Sequence, residues 1–392
     1  MSTPSATVVV GASAAGLSTV EALRRAGHVG RVVLVGEEPH LPYDRPPLSK
    51  RHLVDDVPAA VLLRESVAYA DLDVELRLGA RARAVDLAEH RVDLEPGPSL
   101  TYDQLVIATG VRPRLLRQGH ELAGVHVLRT LDDAERIRRA LHDRPRVAVV
   151  GGGFLGAELV SSARTLGLAV TWLFPESAPM TEVLGPEVGG ALGAHHVAEG
   201  VELRNGVLVD RLDGVDGRVA AAVDREGNSY PADVVLVCIG SLPNTEWLAG
   251  SGLELSNGVD CDEHCLAADD VYAAGDVASW LHPDRGARVR VEHRLNASEQ
   301  ALVVAHNLVH GPERVFAPVP YFWSDQYSLR LQAYGFPALA DGFTVTEGGL
   351  AERRFAGVWT AAGEVVAVGG IGSPRAVREL RSHLIRAQAP VS

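Results

Sequence analysis

Cysteine is scarce in this chain. Cys238, Cys261 and Cys265 are the whole set, and no two stand in a C-x-x-C pair, so thioredoxin-type disulfide exchange has no support. Cys261 and Cys265 flank Asp262-Glu263-His264, but the spacing is wrong for a zinc ribbon and no fourth ligand is near, so no metal site is expected. The fifteen histidines show no H-E-x-x-H spacing. No apolar run reaches the ~18 residues of a membrane span, and no basic residue precedes the apolar N-terminal stretch, so a cytoplasmic location is expected. Positive charge is also short. The formal net charge of −13 argues against general nucleic-acid binding. Lysine is almost missing: of 37 Lys plus Arg, the one lysine is Lys50. Biased arginine codon use accounts for most of that pattern but not for the exception. A lysine ammonium is compact and titratable where arginine is forked and permanently charged.

Apolar residues are plentiful, at 46%, with 22% charged, which is the balance of a globular protein, and 392 residues predict two or three domains. Two glycine-rich turns each follow a short β-branched run. Val8-Val9-Val10 leads into Gly11-Ala-Ser13-Ala-Ala15-Gly16, and Val147–Val150 leads into Gly151-Gly-Gly153-Phe154-Leu155-Gly156. Such turns let the backbone approach a pyrophosphate resting on a helix N-terminus. In the first unit a helix is predicted through Leu17, Val20 and Leu23–Ala26, stopped by Gly27, followed by strand Arg31–Val35 running up to Glu37. A carboxylate at that strand end accepts bonds from ribose hydroxyls. Ser13 replaces the middle glycine, so this fingerprint is imperfect. The second unit repeats the design with complete glycines: helix 155–166 and strand Ala169–Leu173. Two such units in one chain point to two dinucleotides, a flavin and a nicotinamide.

Between them lies a proline-stiffened loop, Leu41-Pro-Tyr-Asp-Arg45-Pro-Pro-Leu-Ser-Lys50, suited to holding charged groups. Tyr102–Gly110 and Val234–Gly240 read as buried strands ending in turns, and Val271–Asp276 as a return strand that places Asp276 at a cofactor crevice. The aromatic stretch Tyr321–Tyr327 opens a region of strands and glycine turns. An amphipathic helix, about 374–387, follows, with Val377, Leu380, Leu384 and Ile385 on one side.

Together these strings resemble the FAD-dependent pyridine-nucleotide reductases that feed [2Fe-2S] ferredoxins of cytochrome P450 and aromatic dioxygenase systems. Leu41–Lys50, Ala108-Thr109-Gly110, Gly151–Glu158, Ile239–Asn244, Ala273–Val277 and Glu292–Gln300 all match, and the likeness spans the chain. The resemblance implies an α/β fold of the glutathione-reductase type, with two Rossmann-like dinucleotide-binding domains and a C-terminal α+β domain. The FAD domain would be discontinuous, 1–110 and 241–320. The NAD(P) domain would be 111–240 and the C-terminal domain 321–392. FAD would contact Gly11, Ser13, Ala15, Gly16, Glu37, Arg45, Lys50, Ala82, Thr109, Gly110, Arg129, Asp276 and Arg294. The nicotinamide cofactor would use Gly151, Gly153, Phe154, Leu155, Gly156, Gly240 and Glu292. Lys50 would pair with Glu158 beside the reactive flavin edge, and Trp323 would lie against the flavin. Phe174 stands where NAD-using relatives place a ribose-binding glutamate, and Glu176 is the substitute. No arginine stands nearby to hold a 2′-phosphate, so NADH is expected over NADPH.

The expected partner is a small acidic [2Fe-2S] ferredoxin, with a downstream oxygenase served indirectly and neither nucleic acid nor membrane involved. Its docking would need a local basic patch, for which Arg353, Arg354, Arg375, Arg378 and Arg381 are candidates. The competing readings are an NADH oxidase, a quinone- or nitrite-linked reductase, and an NADH-sensing flavoprotein regulator. Peroxide- and disulfide-active relatives need a cysteine near the flavin, and no cysteine precedes Cys238.

Overall fold

The computed structural model describes residues 6–57 and 61–388. The chain forms two compact units, each gathered from separate stretches. One comprises Met1–Asp44, Val61–Arg112 and Leu242–Pro320. The other comprises Arg45–Ala60, Pro113–Ser241 and Tyr321–Ser392.

The first unit is built on a six-stranded sheet with strand Thr7–Val10 inside it. Gln104–Ile107 and then Val271–Ala273 lie on one side, Val32–Gly36 and then Val74–Leu78 on the other, all parallel. Leu266–Ala268 closes an edge in the antiparallel sense. Val8, Val9, Val33, Leu34, Leu105 and Val106 are fully buried, as strands covered on both faces require. Helix Ala14–Arg25 ends at Ala26, and Gly27 with φ +86° terminates it, as the sequence predicts. It packs against helix Arg294–His310. A small antiparallel sheet of Arg81–Asp86, Arg91–Glu95 and Leu100–Thr101 completes the layer.

The second unit repeats the plan. Five parallel strands run in the order Glu202–Asn205, Val170–Phe174, Val147–Val150, Val234–Val237, Val125–His126. Helices Phe154–Thr165 and Thr181–Ala198 are its crossovers, the latter kinked where Gly185 leaves helical φ/ψ ahead of Pro186. The proline-stiffened loop folds more tightly than its sequence suggests: Pro46–Ser49 is a 3₁₀ turn and Arg51–Val54 a helical turn. Residues from Tyr321 onward form a five-stranded antiparallel sheet, ordered Tyr321–Gln326, Leu329–Gly335, Glu364–Ile371, Arg354–Ala361, Gly342–Gly349. Helix Pro374–Gln388 lays Ala376 and Val377 on Ala356 of that sheet, with Leu380 packed alongside and Leu384 buried. The Ile385 side chain lies outside the described residues. No helix among the described residues is long and apolar enough to cross a membrane.

Candidate functional site

The first glycine turn is a close backbone crossing. Gly11 has φ +126°, and a Cβ there would stand 2.0 Å from the Ala108 carbonyl oxygen. A Cβ on Gly16 would meet the Gly11 carbonyl oxygen at 1.9 Å. Both positions must therefore be glycine, and the helix starts directly over the strand end. Ser13 is its N-cap, and no acidic side chain occupies the first turn. Its first N–H groups therefore form an electropositive cradle. Gly275, with φ +80°, brings the 3₁₀ turn Gly275–Val277 against Ala15, and Gln300 accepts from its N–H at 2.9 Å. This sets Asp276 beside the cradle.

The motifs Ala108–Gly110 and Leu242–Asn244 clasp each other. Thr109 Oγ1 donates to the Asn244 carbonyl and Asn244 Nδ2 donates to the Thr109 carbonyl, each at 2.9 Å. Glu37 is exposed at its strand end with Arg81 at 3.5 Å, and Ala82 is buried on the strand that Arg81 opens. Arg294 binds Asp44 and Ser298 at the start of its helix.

Sequence reading missed Asn296. It is 3% exposed, and neither its amide nitrogen nor its oxygen has a hydrogen-bond partner among the described residues. Buried amides rarely stay unpaired, so this one fits a group supplied from outside the chain. A signal was there: Asn296, Gln300 and Asn307 recur at helical spacing among Ala297, Ala301 and Val304. The glycine crossing, the helix N-terminus with no acidic side chain in its first turn, and this orphaned amide together fit FAD.

The second turn repeats the crossing. Gly151 has φ +117°, its Cβ position falls 2.2 Å from the Cys238 carbonyl oxygen, and that of Gly156 lies 2.3 Å from the Gly151 carbonyl oxygen. Gly153 caps helix Phe154–Thr165 with open space around its Cβ position. Phe154 packs on Phe322 with ring centroids 5.0 Å apart, and Leu155 is half-buried beside it. Trp172 Nε1 donates to the Gly151 carbonyl at 2.9 Å and props the turn from below.

Pairing register alters the reading of Phe174. Val10 pairs with Val35 and Val150 with Leu173, so Phe174 corresponds to Gly36 rather than to the acidic position beyond it. Phe174 lies within its strand and is fully buried. The first carboxylate beyond the strand is Glu176, whose Oε2 is buried, lacks a partner among the described residues, and stands 3.0 Å from the Cβ position of Gly152. A carboxylate aimed at the glycine turn with an acceptor to spare fits a ribose diol. Gly240, with φ +96°, follows the neighbouring strand, and its carbonyl accepts from Arg114 N. Glu292 lies in the other unit, where Arg290 donates to it at 2.6 Å.

The second unit also holds a buried ionic cluster. Lys50 Nζ donates to Glu158 Oε2 at 2.8 Å and to the Pro46 carbonyl at 3.1 Å; the two side chains are 16% and 9% exposed. Ser49 Oγ gives the same carboxylate oxygen a second bond at 2.5 Å, and Ser324 Oγ donates to Oε1 at 2.8 Å. Three donors around one carboxylate make an ion pair whose remaining lone pairs are satisfied, as burial demands. Arg45 reaches the Arg129 carbonyl in the same region. Trp323 alternates with Phe322 and Ser324 along its strand, so it faces away from Glu158 and stacks on Tyr321, centroids 5.8 Å apart. Burial holds the thiols protonated. Those of Cys238 and Cys265 are pushed up to about 12, and that of Cys261 well above its ordinary value. Arg353, Arg354, Arg375, Arg378 and Arg381 are all exposed on the C-terminal sheet and helix.

A pair of cradles of this kind, one per unit, defines a two-dinucleotide oxidoreductase. The chain belongs to the pyridine nucleotide-disulphide oxidoreductase family, whose model matches residues 5–301, and residues 321–392 match the reductase C-terminal domain. It is 37% identical over 341 residues to rhodocoxin reductase of Rhodococcus erythropolis, covering 86% of this chain and 80% of that protein. It is 36% identical to the ferredoxin–NAD(+) reductase component of the biphenyl dioxygenase system of Paraburkholderia xenovorans, covering 83% and 80%. Among solved structures it resembles a covalent putidaredoxin reductase–putidaredoxin complex, with TM-score 0.92 and 33% identity, covering 97% of this chain and 93% of that one.

Proposed function

We propose that this protein is a cytoplasmic NADH-dependent flavoprotein that passes electrons through FAD to a small acidic [2Fe-2S] ferredoxin serving a P450 or Rieske-type oxygenase. The observation that carries this reading is the likeness along the whole chain, C-terminal domain included, to ferredoxin–NAD(+) reductase components. The thiols favour it over disulfide- or peroxide-linked members of the family. A redox cysteine works as a thiolate; Cys261 and Cys265 are buried, Cys238 is half-buried, and desolvation holds all three protonated.

Bound FAD supplies the change from two-electron to one-electron chemistry. The chain's residues bind, orient and bias. The N–H groups after Ser13 and Gly153 hold pyrophosphates, Asp276 and Asn296 add polar contacts on the flavin side, and Glu176 takes the nicotinamide ribose hydroxyls. We assign Lys50 to the reacting end of the cofactors, where its fixed ammonium favours the negative charge that accumulates on reduction. Glu158 holds that ammonium in place, and Trp323, on the opposite face of its strand, is assigned to lie against the flavin. The exposed arginines 353, 354, 375, 378 and 381 form the face offered to an acidic partner, which a net charge of −13 would otherwise repel.

Rapid mixing of the purified protein with NADH or NADPH, followed by a ferredoxin panel and cytochrome c, tests the reading. Flavin absorbance, fast bleaching by NADH and ferredoxin-dependent cytochrome c reduction are expected. A protein without flavin overturns the proposal, and slow NADH oxidation without ferredoxin reduction favours the regulator. Lys50→Met is expected to keep FAD bound while slowing flavin reduction about a hundredfold; an unchanged rate removes Lys50 from its role.

A further inference from the structure

Behind Glu158 runs a line of buried polar side chains that the proposed chemistry does not use. Ser324 is completely buried, and its hydroxyl donates to Glu158 Oε1 at 2.8 Å. Having given up its proton, it accepts from Gln326 Nε2 at 3.2 Å. The other Nε2 hydrogen goes to Met180 Sδ at 3.6 Å. The Gln326 oxygen lies 2.9 Å from His196 Nε2, and an amide oxygen only accepts, so His196 carries its proton on Nε2. Burial lowers the His196 pKa to about 4, so the ring is neutral near pH 7. Its Nδ1 must then accept, and the Tyr327 hydroxyl, 3.0 Å away, must donate. Every donor in the series Tyr327, His196, Gln326, Ser324 therefore points the same way, toward the Glu158 carboxylate. Such aligned bonds polarise one another, and the anion at the end fixes their direction.

The far end of the chain is anchored. The Tyr327 N–H donates to Ser161 Oγ at 2.6 Å, on the helix that carries Glu158 one turn earlier. The line also passes under the nicotinamide cradle. His196 packs edge-on to Trp172, 4.7 Å between centroids, and Trp172 holds the Gly151 carbonyl. Met180 N donates to the Gly152 carbonyl at 2.7 Å. Gln326 thus touches both the carboxylate's support and the floor of the glycine turn.

We propose that Ser324, Gln326 and His196 are positioning residues whose one-way hydrogen-bond chain fixes the Glu158 carboxylate, and through it the Lys50 ammonium, relative to the second glycine turn. The inference rests on the role assigned to Lys50 and Glu158 above. Without Ser324, one lobe of the carboxylate loses its donor and the ammonium is drawn more closely to it, leaving less positive potential for a reduced cofactor.

The experiment has two arms. In FAD-loaded protein labelled with ¹⁵N-histidine, His196 is expected to be neutral and Nε2-protonated at pH 7, with nitrogen shifts that move in Ser324→Ala. An imidazolium, an Nδ1–H tautomer, or shifts indifferent to that variant overturns the chain. In the second arm, Ser324→Ala is expected to slow flavin reduction by NADH about tenfold, the loss of one hydrogen bond to a charged group. It should also lower the flavin midpoint potential while leaving the NADH dissociation constant unchanged. Ser324→Thr, which restores the hydroxyl, should recover rate and potential. Gln326→Leu, which leaves the Glu158 bonds in place, should show a smaller drop and serves if Ser324→Ala does not fold. A Ser324→Ala protein with parental rate and potential overturns the proposal. Parent protein that NADH fails to reduce defeats the functional reading instead, and the histidine spectra then judge the chain alone.

Discussion

In the first cradle Ala12 sits on the glycine turn and Gly36 ends the neighbouring strand; a Cβ on Gly36 would stand 2.6 Å from that of Ala12. In the second cradle the bulk is exchanged. Gly152 is on the turn, Phe174 holds the place of Gly36, and a Cβ on Gly152 would stand 3.0 Å from the Phe174 Cβ. The same gap is filled from opposite sides. The exchange also moves the acid, since Glu37 follows Gly36 directly while Pro175 follows Phe174 and the carboxylate comes one residue later, at Glu176. With Phe174 filling the space beside the turn, the first carboxylate beyond the strand is Glu176.

The sharpest test of this comparison sets a structural glycine against an open one. Gly11→Val is expected to abolish the folded, flavin-loaded protein, because its backbone neighbour is at 2.0 Å and φ is positive. Gly153→Ala should keep fold and FAD, since nothing lies within 4 Å of its Cβ position, and should weaken only NADH binding. Flavin content and thermal melting separate the two.

Next in size is the exchanged pair. Phe174→Ala should cost about 3–5 kcal/mol in denaturant unfolding, and Gly152→Ala about 1–3 kcal/mol by overpacking. The double variant should cost clearly less than the sum, and strict additivity would refute the reciprocal packing.

Glu176→Ala should raise the KM for NADH about tenfold with kcat nearly unchanged, the pattern of lost uniform binding. Glu37→Ala should leave that KM alone and instead loosen retained FAD. If both variants behaved alike, the division of labour between the cradles would fail.

The smallest effect is shared by the units. His293, half-buried in one, and His196, buried in the other, are neutral, their pKa values lowered from 6.5 to about 4, chiefly by desolvation. The unfolded chain binds these protons below pH 6.5 while the folded chain does not. Stability is therefore complete above that value and falls as pH drops toward 4, by about 1 kcal/mol per histidine at pH 5.5. Melting temperatures between pH 7 and 5 should show the slope, and His196→Gln should remove part of it.

Repeating patterns were legible in the chain before any fold was known. The valine runs, the helix closed by Gly27 and the second unit's symmetry with the first all rest on local spacing, while the Lys50–Glu158 partnership came only with the family resemblance. The exchange of Gly36 for Phe174 was not legible, because which residue faces a turn depends on strand register. The supports of Glu158 were hidden for another reason. Ser49, His196 and the pair Ser324 and Gln326 come from three distant segments, and a buried serine or glutamine has no periodicity to announce it. Asn296 falls between these cases, visible as one of three amides along a helix but mute about what it binds.

Lys50 carries the chain's one ε-amine, and the fold sets it between Glu158 and the Pro46 carbonyl. A reagent selective for side-chain amines therefore has a single target. Reductive ¹³C-methylation would write one side-chain dimethylamine signal into the spectrum, distinct from that of the α-amine, at the point where the ion pair sits. A lysine-specific protease has likewise one bond to cut, after the residue that joins the 3₁₀ turn Pro46–Ser49 to the helical turn Arg51–Val54, so the appearance of two fragments would time the opening of that junction.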